Sequence, residues 1–361
     1  MKKLHFITAI MSLLIVGCTS IDKDNDDVMF SKTFKLQHIF HDDVLLKDPQ
    51  IAVSDSFIIL ATTYKDEQAN VCCVYSTYDG VKHECTYGDI NSGPKDFRQP
   101  VLTFANGNTF GLNDINERTL ALLHIEKDKN GIYNVIEKDR LKAPLNRSKE
   151  EFIPLDTRYI PIRNGELYIS ALFMDKDRCF TLSDNSLTPI QRFGESPISE
   201  ELDGIVIRNR LNGFMATYED KFFYAAMDLP YISTYKLVGD KMIKQWSKFY
   251  KNPYYLVSNG DVKFDKDKSM GPLKDMCVDS QYIYMLYMDQ LLSEYDTYNT
   301  EKSASNTIYV FKHDGEPVAC LELDCRLRKL AIDSKQHKLY GIAQLPDFSL
   351  VEFLLPQELY K

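Results

Sequence analysis

The chain has 361 residues and a formal net charge of −9, and 44% of its residues are hydrophobic. A core of ordinary size can therefore form, but an acidic chain without a dense Lys/Arg cluster binds a phosphate backbone poorly, so we exclude nucleic acid as a partner. The 22 Tyr and 20 Phe against a single Trp indicate β-strands rather than helices, because aromatic rings pack well on a pleated surface.

Residues 1–17 form a targeting segment by their pattern. Lys2 and Lys3 precede an apolar stretch, 4–16, that is too short to span a bilayer. The run Leu-Ile-Val-Gly-Cys that ends at Cys18 resembles the lipobox of bacterial lipoproteins, which implies cleavage after Gly17 and acylation of Cys18. Several acyl chains at one site anchor a protein stably. We predict a lipoprotein signal peptide over 1–17; an ordinary signal peptide with an incidental cysteine is the alternative.

Residues 18–31 are predicted to form a lipidated cysteine followed by a flexible acidic tether, because Thr19–Asp27 has almost nothing to bury. Thr19 after the lipid-bearing cysteine resembles outer-membrane sorting in Gram-negative bacteria. The acidic run also resembles the surface-export signal of Bacteroidetes lipoproteins. These resemblances imply an outer-membrane lipoprotein, on the cell surface or facing the periplasm.

Residues 32–361 contain one repeating pattern, a short polar turn between two apolar runs. It occurs six times, at Asp55-Ser56, Asn106-Gly107, Asn164-Gly165, Glu219-Asp220, Asp279-Ser280 and Asp333-Ser334. Successive turns recur at nearly even intervals along the chain, and a second hairpin lies between them. A period above about 40 residues in an all-β chain indicates propeller blades. We predict an all-β fold, a six-bladed β-propeller; six generic hairpins in a sandwich are the alternative.

The sixth repeat is short, since only one apolar run, Phe348–Leu355, follows its first hairpin. The one strand-like run left over is Lys32–Ile39, at the other end of the domain. Pairing that run with the C-terminal blade would remove an open edge. We therefore predict a ring closed by an N-terminal strand.

One segment resembles a motif of a known family. In Gly88–Pro100 the residues Gly93, Pro94 and Phe97 match a Gly-x-Gly-Pro-x-Glu-Phe run, with Asp96 in place of Glu and the first Gly absent or displaced. With the lipobox and the regular repeats, this resembles the TolB-like six-bladed propeller lipoproteins of Bacteroidales. The resemblance implies a fold and a location rather than a reaction.

The long connections of such a propeller lie on one face, and loops of this length are usually functional or disordered. We predict that this long-loop face binds ligand. Mixed charge beside a central funnel suits a carboxylate or a sugar, with Arg as a bidentate donor and Tyr as a stacking platform; solvated loop charge is the alternative. The candidate ligand-binding residues are Lys95, Asp96, Arg98, Arg158, Arg208, Arg210 and Tyr254.

The motifs of metalloproteases, serine hydrolases, redox CxxC proteins and phosphate-binding loops are absent from the sequence. His38 and His41 are metal-capable, but in a strand they would point to opposite faces. Some six-bladed propellers are calcium-dependent lactonases with acidic ligands on several inner strands, whereas here only Asp114 and Asp275 lie near strand ends. We therefore predict no metal site and no cofactor, and we favour a binding role over an enzymatic one.

Seven cysteines follow the lipidation site, so at least one is unpaired within the chain. A three-residue turn would set Cys73 across from Cys85, and a four-residue turn would set Cys72 there. Cys320 and Cys325 are further candidates, and the pairing stays open.

These observations predict an extracytoplasmic, membrane-anchored lipoprotein that binds a saccharide, a peptide or a protein partner through the long-loop face. The alternative is a hydrolase or lyase, with calcium as one option, acting in the central funnel. A cluster of carboxylates or histidines with perturbed pKa values at the channel mouth would favour the enzyme.

Overall fold

A computed structural model of the chain describes residues 27–43, 46–54, 56–64, 70–91, 93, 96–144, 158–171, 177–296, 300–344 and 347–360. The predicted signal peptide, the lipidation site Cys18 and the tether as far as residue 26 lie outside these residues. In the part that is described, no helix is long and apolar enough to cross a membrane.

Strands dominate the described chain. It begins with β1 (Thr33–Leu36) and β2 (His38–Asp43). The first four-stranded sheet consists of β3 (Gln50–Val53), β4 (Phe57–Ala61), β5 (Asn70–Ser76) and β6 (Lys82–Asp89). The second consists of β7 (Pro100–Asn106), β8 (Thr109–Asp114), β9 (Thr119–Lys127) and β10 (Tyr133–Lys142). The third consists of β11 (Tyr159–Ile162), β12 (Leu167–Ala171), β13 (Phe180–Ser183) and β14 (Pro189–Phe193).

A short helix, α1 (Gly204–Arg210), leads into the fourth sheet, and a two-stranded hairpin follows that sheet. The fourth sheet consists of β15 (Gly213–Tyr218), β16 (Lys221–Ala226), β17 (Tyr231–Val238) and β18 (Lys241–Phe249). The hairpin consists of β19 (Tyr255–Ser258) and β20 (Asp261–Phe264). The last strands are β21 (Leu273–Val278), β22 (Tyr282–Tyr287), β23 (Ser305–Lys312), β24 (Pro317–Asp333), β25 (Lys338–Gln344) and β26 (Phe348–Leu354), with α2 (Thr300–Ser303) before β23. Two single-turn 3₁₀ helices are Arg163–Gly165 and Gln357–Leu359.

All six predicted turns join antiparallel neighbours, namely β3–β4, β7–β8, β11–β12, β15–β16, β21–β22 and β24–β25. The backbone at Gly107 (φ 54°) and Asn164 (φ 55°) is left-handed, a conformation that Gly and Asn adopt at low cost. The propeller fold that these turns predict is confirmed.

The number of separate sheets differs from the prediction. Four four-stranded sheets and the β19–β20 hairpin are separate, whereas the other eight strands form one sheet. The cause is β24, which pairs with β23 at Glu322 and continues without a turn to pair with β25 at Leu330. Its residues alternate between buried and exposed from Ala319 to Leu327, and no Gly or Pro interrupts them.

The N-terminal strand also differs from the predicted run. Residues 33–36 form β1, which lies parallel to β24 with Leu36 opposite Leu323. It is β2 that pairs with β26, beginning at His38 opposite Phe353. The strand on the C-terminal β26 is thus 38–43 rather than 32–39. Its start is set by Leu36, which is buried in the core and ends β1 there.

The end of the predicted tether is packed rather than free. The backbone N–H of Val28 donates to the carbonyl of Tyr250 at 3.1 Å, and the ring of Phe30 lies 4.6 Å from that of Tyr309. Two apolar residues beside an acidic run are enough to hold this segment on the fold, because each buries hydrophobic surface.

The core lies between neighbouring sheets. Phe180 of the third sheet, for example, is 1% exposed and contacts Phe222 and Tyr224 of the fourth in edge-to-face geometry. On the inner side, β3, β7, β11, β15, β21 and β24 contact one another in that order, and β24 contacts β3. These six strands surround one channel.

Candidate functional site

The channel has a volume of about 960 Å³ and is lined by all six inner strands. Its lining mixes polar and apolar residues, and the apolar ones include Ile51, Ile160, Met215 and Met276. Successive side chains of a β-strand point to opposite sides, so every second side chain of an inner strand points into the channel. The apolar side chains in the lining can make hydrophobic contacts with a ligand bound in the channel.

Polar side chains gather at the end of the channel where the inner strands begin. They are Gln50, Arg158, Asn209, Asn212, Asp275 and Lys329. The long connections between sheets lead into the inner strands at this same end, as predicted for the long-loop face. We call this end the channel mouth.

Lys274 is the most strongly perturbed cation at the mouth. Its Nζ atom lies 3.4 Å from the hydroxyl oxygen of Tyr295 and 5.2 Å from the centre of that ring. Burial, and after it the neighbouring cations Lys329 and Arg328, lowers the pKa of Lys274 to about 8 against the opposing effect of Asp48 and Asp228. A substantial fraction of this amine is therefore neutral in mildly alkaline solution.

Arg328 and Lys329 are consecutive in β24 and have different surroundings. Arg328 is held in place, with its Nε 3.2 Å from Asp48 Oδ1 and a second nitrogen 3.2 Å from Ser303 Oγ. Lys329 lies over the ring of Phe214 at 5.7 Å, and within the described ranges no carboxylate comes within 4.0 Å of its Nζ. Lys329 therefore presents a charge to the channel.

Asp275 is anchored by the backbone. One carboxylate oxygen accepts the N–H of Leu330 at 2.9 Å and the other accepts that of Met276 at 3.0 Å. Burial raises the pKa of Asp275, while Lys329 and the two backbone donors act in the opposite direction. This carboxylate ties β21 to β24 as well as facing the channel.

Asp228 connects the mouth to the loop that carries α1. Its Oδ2 lies 3.9 Å from a guanidinium nitrogen of Arg210, and another nitrogen of Arg210 lies 3.9 Å from Asp261. Burial raises the pKa of Asp228, although Arg210 and Lys274 both favour its charged form.

Cations outnumber carboxylates in this group of described residues. The cations are Arg158, Arg210, Lys274, Arg328 and Lys329; the carboxylates are Asp48, Asp228, Asp261 and Asp275. Five cations against four carboxylates leave the described residues of this group with a small positive surplus, although the whole chain carries −9. A partly desolvated cation surplus favours an anionic group, because attraction strengthens as the effective dielectric falls.

The sequence-predicted ligand residues fall into different places. Arg158 lines the channel. Arg210 is not in the lining, and it lies beside Asp228 next to the lining residue Asn209. Arg208 lies on α1. Lys95 lies outside the described residues.

The other three are not among the residues that line the channel. Asp96 Oδ2 accepts the N–H of Gly93 at 2.8 Å, and Arg98 Nε lies 2.8 Å from Glu117. Tyr254 is 41% exposed on another connection, with Lys268 Nζ 5.9 Å from its ring.

Sequence reasoning missed Lys274, Arg328 and Lys329. Their signal was present, since charged residues interrupt two otherwise apolar inner strands, LKDMCV (273–278) and RLRKLAID (326–333). From the sequence, the inner strands are considered only as a source of carboxylate ligands for calcium, and lysines do not serve that purpose.

Asp114 has a structural role, and the candidate cysteine pairs are not joined. Asp114 is fully buried, and its carboxylate accepts four backbone N–H groups, from Arg98, Gln99, Asn116 and Glu117, at 2.7–3.4 Å. None of the seven cysteines in the described chain forms a disulfide. Cys85 lies opposite Val74 rather than Cys72 or Cys73, because a β-bulge after Val74 shifts the register by one residue.

Comparison with known proteins supports the fold. No family model matches the chain, and no curated protein matches it. Among solved structures, a protein of Bacteroides fragilis that is inferred to be exported superposes with a TM-score of 0.53 at 12% identity, over 89% of this chain and 98% of that one. The β-propeller domain of Cps50 (Swd1) from Myceliophthora thermophila is also similar, with a TM-score of 0.44 at 12% identity over 85% and 84% of the two chains.

Proposed function

We propose that the chain is an extracytoplasmic, membrane-anchored lipoprotein whose propeller binds an anionic ligand at the channel mouth. The observation that carries the binding role is the group of cations, including Lys329 and Arg158, that the described residues place at the mouth of the channel. The candidates are an acidic saccharide, a peptide with a free carboxylate, or a protein partner that presents one. Of the predicted ligand residues, Arg158 and Arg210 are proposed for this site, and Asp96, Arg98 and Tyr254 for its outer rim; Lys95 and Arg208 stay predicted ligand residues.

The proposed propeller has six blades, with the eight-stranded sheet counting as two blades that share β24. Three observations support this count: six equivalent hairpins, six inner strands around one channel, and contact between β24 and β3. The pairing of β2 with β26 supports closure of the ring by the N-terminal strand. The lipobox and the Gly88–Pro100 motif support a TolB-like lipoprotein of Bacteroidales.

Binding is tested with matched acidic and neutral probes on the full-length lipoprotein in detergent. An oligogalacturonate is compared with its methyl ester, and a peptide with a free C-terminus is compared with its amide. We expect the carboxylate forms to bind and the neutral forms to bind at least about 10-fold more weakly, because charge-assisted hydrogen bonds contribute about 1.5–3 kcal/mol. The pair that shows the difference identifies the ligand class.

Lys329→Gln is the informative variant, because Lys329 lines the channel and its amine has no carboxylate within 4.0 Å among the described residues. It should weaken carboxylate binding by about 10-fold or more. Lys35→Gln is the matched control, since that side chain is 86% exposed on β1. Equal affinity for acidic and neutral probes, or equal effects of the two substitutions, would show that the mouth does not bind anions.

The anchor and location are tested separately. We expect Cys18→Ser to abolish metabolic lipid labelling and to release the protein from the membrane fraction. Protease treatment of intact cells then separates a surface location, in which the propeller is accessible, from a periplasmic one. Lipid labelling that survives in Cys18→Ser would contradict the lipoprotein assignment.

A hydrolase or lyase in the same channel is the second candidate. It is favoured by the lowered pKa of Lys274 beside Asp228, whose pKa burial raises, since such pairs serve as base and acid. The two functions have opposite pH dependence: anion binding falls as pH rises through about 8, whereas a rate that needs neutral Lys274 rises. The donor set does not suit calcium, which requires six to eight oxygen ligands, because cations outnumber carboxylates here.

A further inference from the structure

Three metal-capable side chains meet outside the channel lining, where the N-terminal segment crosses β24. They are His38, the first residue of β2, and the consecutive residues Asp324 and Cys325 of β24. One ligand atom from each lies within 4.8 Å of the other two. Two strands from opposite ends of the chain thus place an imidazole, a carboxylate and a thiol at one point.

Backbone pairing fixes this arrangement. β1 lies parallel to β24 and ends with Leu36 opposite Leu323, so the chain emerges directly beside Asp324. The backbone N–H of His38 then donates to Asp324 Oδ1 at 3.0 Å, and His38 Nδ1 lies 2.9 Å from the same oxygen. The carboxylate is therefore oriented by the main chain, and in the part of the chain that the structure describes no hydrogen bond to its second oxygen is found.

Cys325 approaches the same point from the interior. It is 8% exposed and packs in the core that Leu36 and Leu327 share. His38 is half-buried and Asp324 is exposed, so the point is open to solvent on one side only. A metal ion could enter from that side and find a soft sulfur ligand at the base.

We propose that His38, Asp324 and Cys325 bind a zinc-class divalent ion, with solvent in the fourth position. Nitrogen, sulfur and carboxylate ligands at about 2.0–2.3 Å are those that Zn²⁺ takes in tetrahedral sites. At those bond lengths the ligand atoms of a tetrahedron lie roughly 3.3–3.8 Å apart, so small side-chain rotations close the present separations. Cys325 binds as the thiolate, and its proton passes to solvent.

The ion would link the start of β2 to the middle of β24. His41, the other histidine of β2, is excluded because its Nε2 lies 2.9 Å from Glu352 of β26. A bond between His38 and β24 would hold the N-terminal strand in place before it reaches β26. The ligand set therefore predicts that metal stabilises the docking of the N-terminal segment.

Cobalt binding to the full-length protein tests the site. We expect one Co²⁺ per chain with a sulfur-to-cobalt charge-transfer band that Zn²⁺ abolishes by competition. Cys325→Ser should remove the band, and Cys320→Ser, a partly exposed cysteine on the same strand, should retain it. His38→Gln and Asp324→Asn alter exposed or half-buried side chains and should each weaken cobalt affinity by about 10-fold or more, so the test does not depend on a core substitution.

Stability provides the second readout. Zn²⁺ should raise the midpoint of thermal unfolding in the parent and in Cys320→Ser but not in His38→Gln, since a ligand that binds only the folded state stabilises it. A cobalt spectrum without a sulfur band, or affinity unchanged in His38→Gln and Asp324→Asn, would overturn the proposal. Neither result bears on the anion site, whose Lys329→Gln variant is independent.

Discussion

The titration of Lys274 tests the electrostatics of the channel mouth without any knowledge of the ligand. With a pKa of about 8 instead of 10.5, Lys274 has about 300 times the neutral-amine fraction of an ordinary lysine at neutral pH. Acylating reagents attack only the neutral amine. The rate of Lys274 acetylation, normalised to its high-pH plateau, should therefore rise with a midpoint near 8.

Lys329→Gln is the perturbation. Burial is the largest cause of the lowered pKa and remains in the variant, but Lys329 is the next largest. Removing its charge should move the midpoint upward from about 8 towards 10.5 without reaching it.

The assay is acetylation over a series of pH values with peptide mass spectrometry, and a free lysine peptide serves as the internal standard. Lys35→Gln is the control and should leave the midpoint of Lys274 unchanged. A Lys274 midpoint equal to that of the peptide standard would refute the burial argument. A midpoint that Lys329→Gln leaves in place would refute the coupling between the two lysines.

Three further predictions concern the fold. Phe180→Ala should lower the free energy of unfolding by about 3–5 kcal/mol in urea titrations, because Phe180 is buried in the core. The control Tyr78→Ala, at a side chain that is 68% exposed, should change it by less than about 0.5 kcal/mol. Similar losses in the two variants would contradict the placement of the core. Asp114→Ala should cost about 2 kcal/mol or more by the same measurement, because four backbone N–H groups lose their acceptor; a neutral result would mean that water replaces it. Burial acts to raise the pKa of Glu352, but hydrogen bonds, including that from His41, hold it below 4.5, so its stabilising contribution is lost as pH falls through its folded-state value. Thermal unfolding against pH should therefore show a smaller acid loss in Glu352→Gln than in the parent, and parallel curves would exclude this ion pair.

The repeats could be predicted because they depend on local chemistry. A turn such as Asn106-Gly107 requires residues that tolerate left-handed backbone, and the flanking runs must alternate to bury one face, so both signals are visible in any single hairpin. Strand ends could not be predicted equally well. No local feature of residues 32–40 indicates that Leu36 ends one strand and that His38 begins another. The strands that they pair with, β24 and β26, lie at the opposite end of the chain.

The channel mouth shows the same division. Arg158 and Arg210 were found because long loops near a funnel are obvious places for ligand contacts. Lys274 and Lys329 were missed because a charge within an apolar strand has no local explanation, and only the assembled ring brings the two amines close enough to interact.

The sequence alone determined the β class, the spacing of the hairpins and the face that carries the long loops, because each follows from the chemistry of neighbouring residues. Tertiary structure decided which sheets merge, which N-terminal residues pair with β26, and which side chains meet at the mouth and beside His38. Those outcomes depend on contacts between distant segments, where packing geometry selects one arrangement among many that the same local pattern allows.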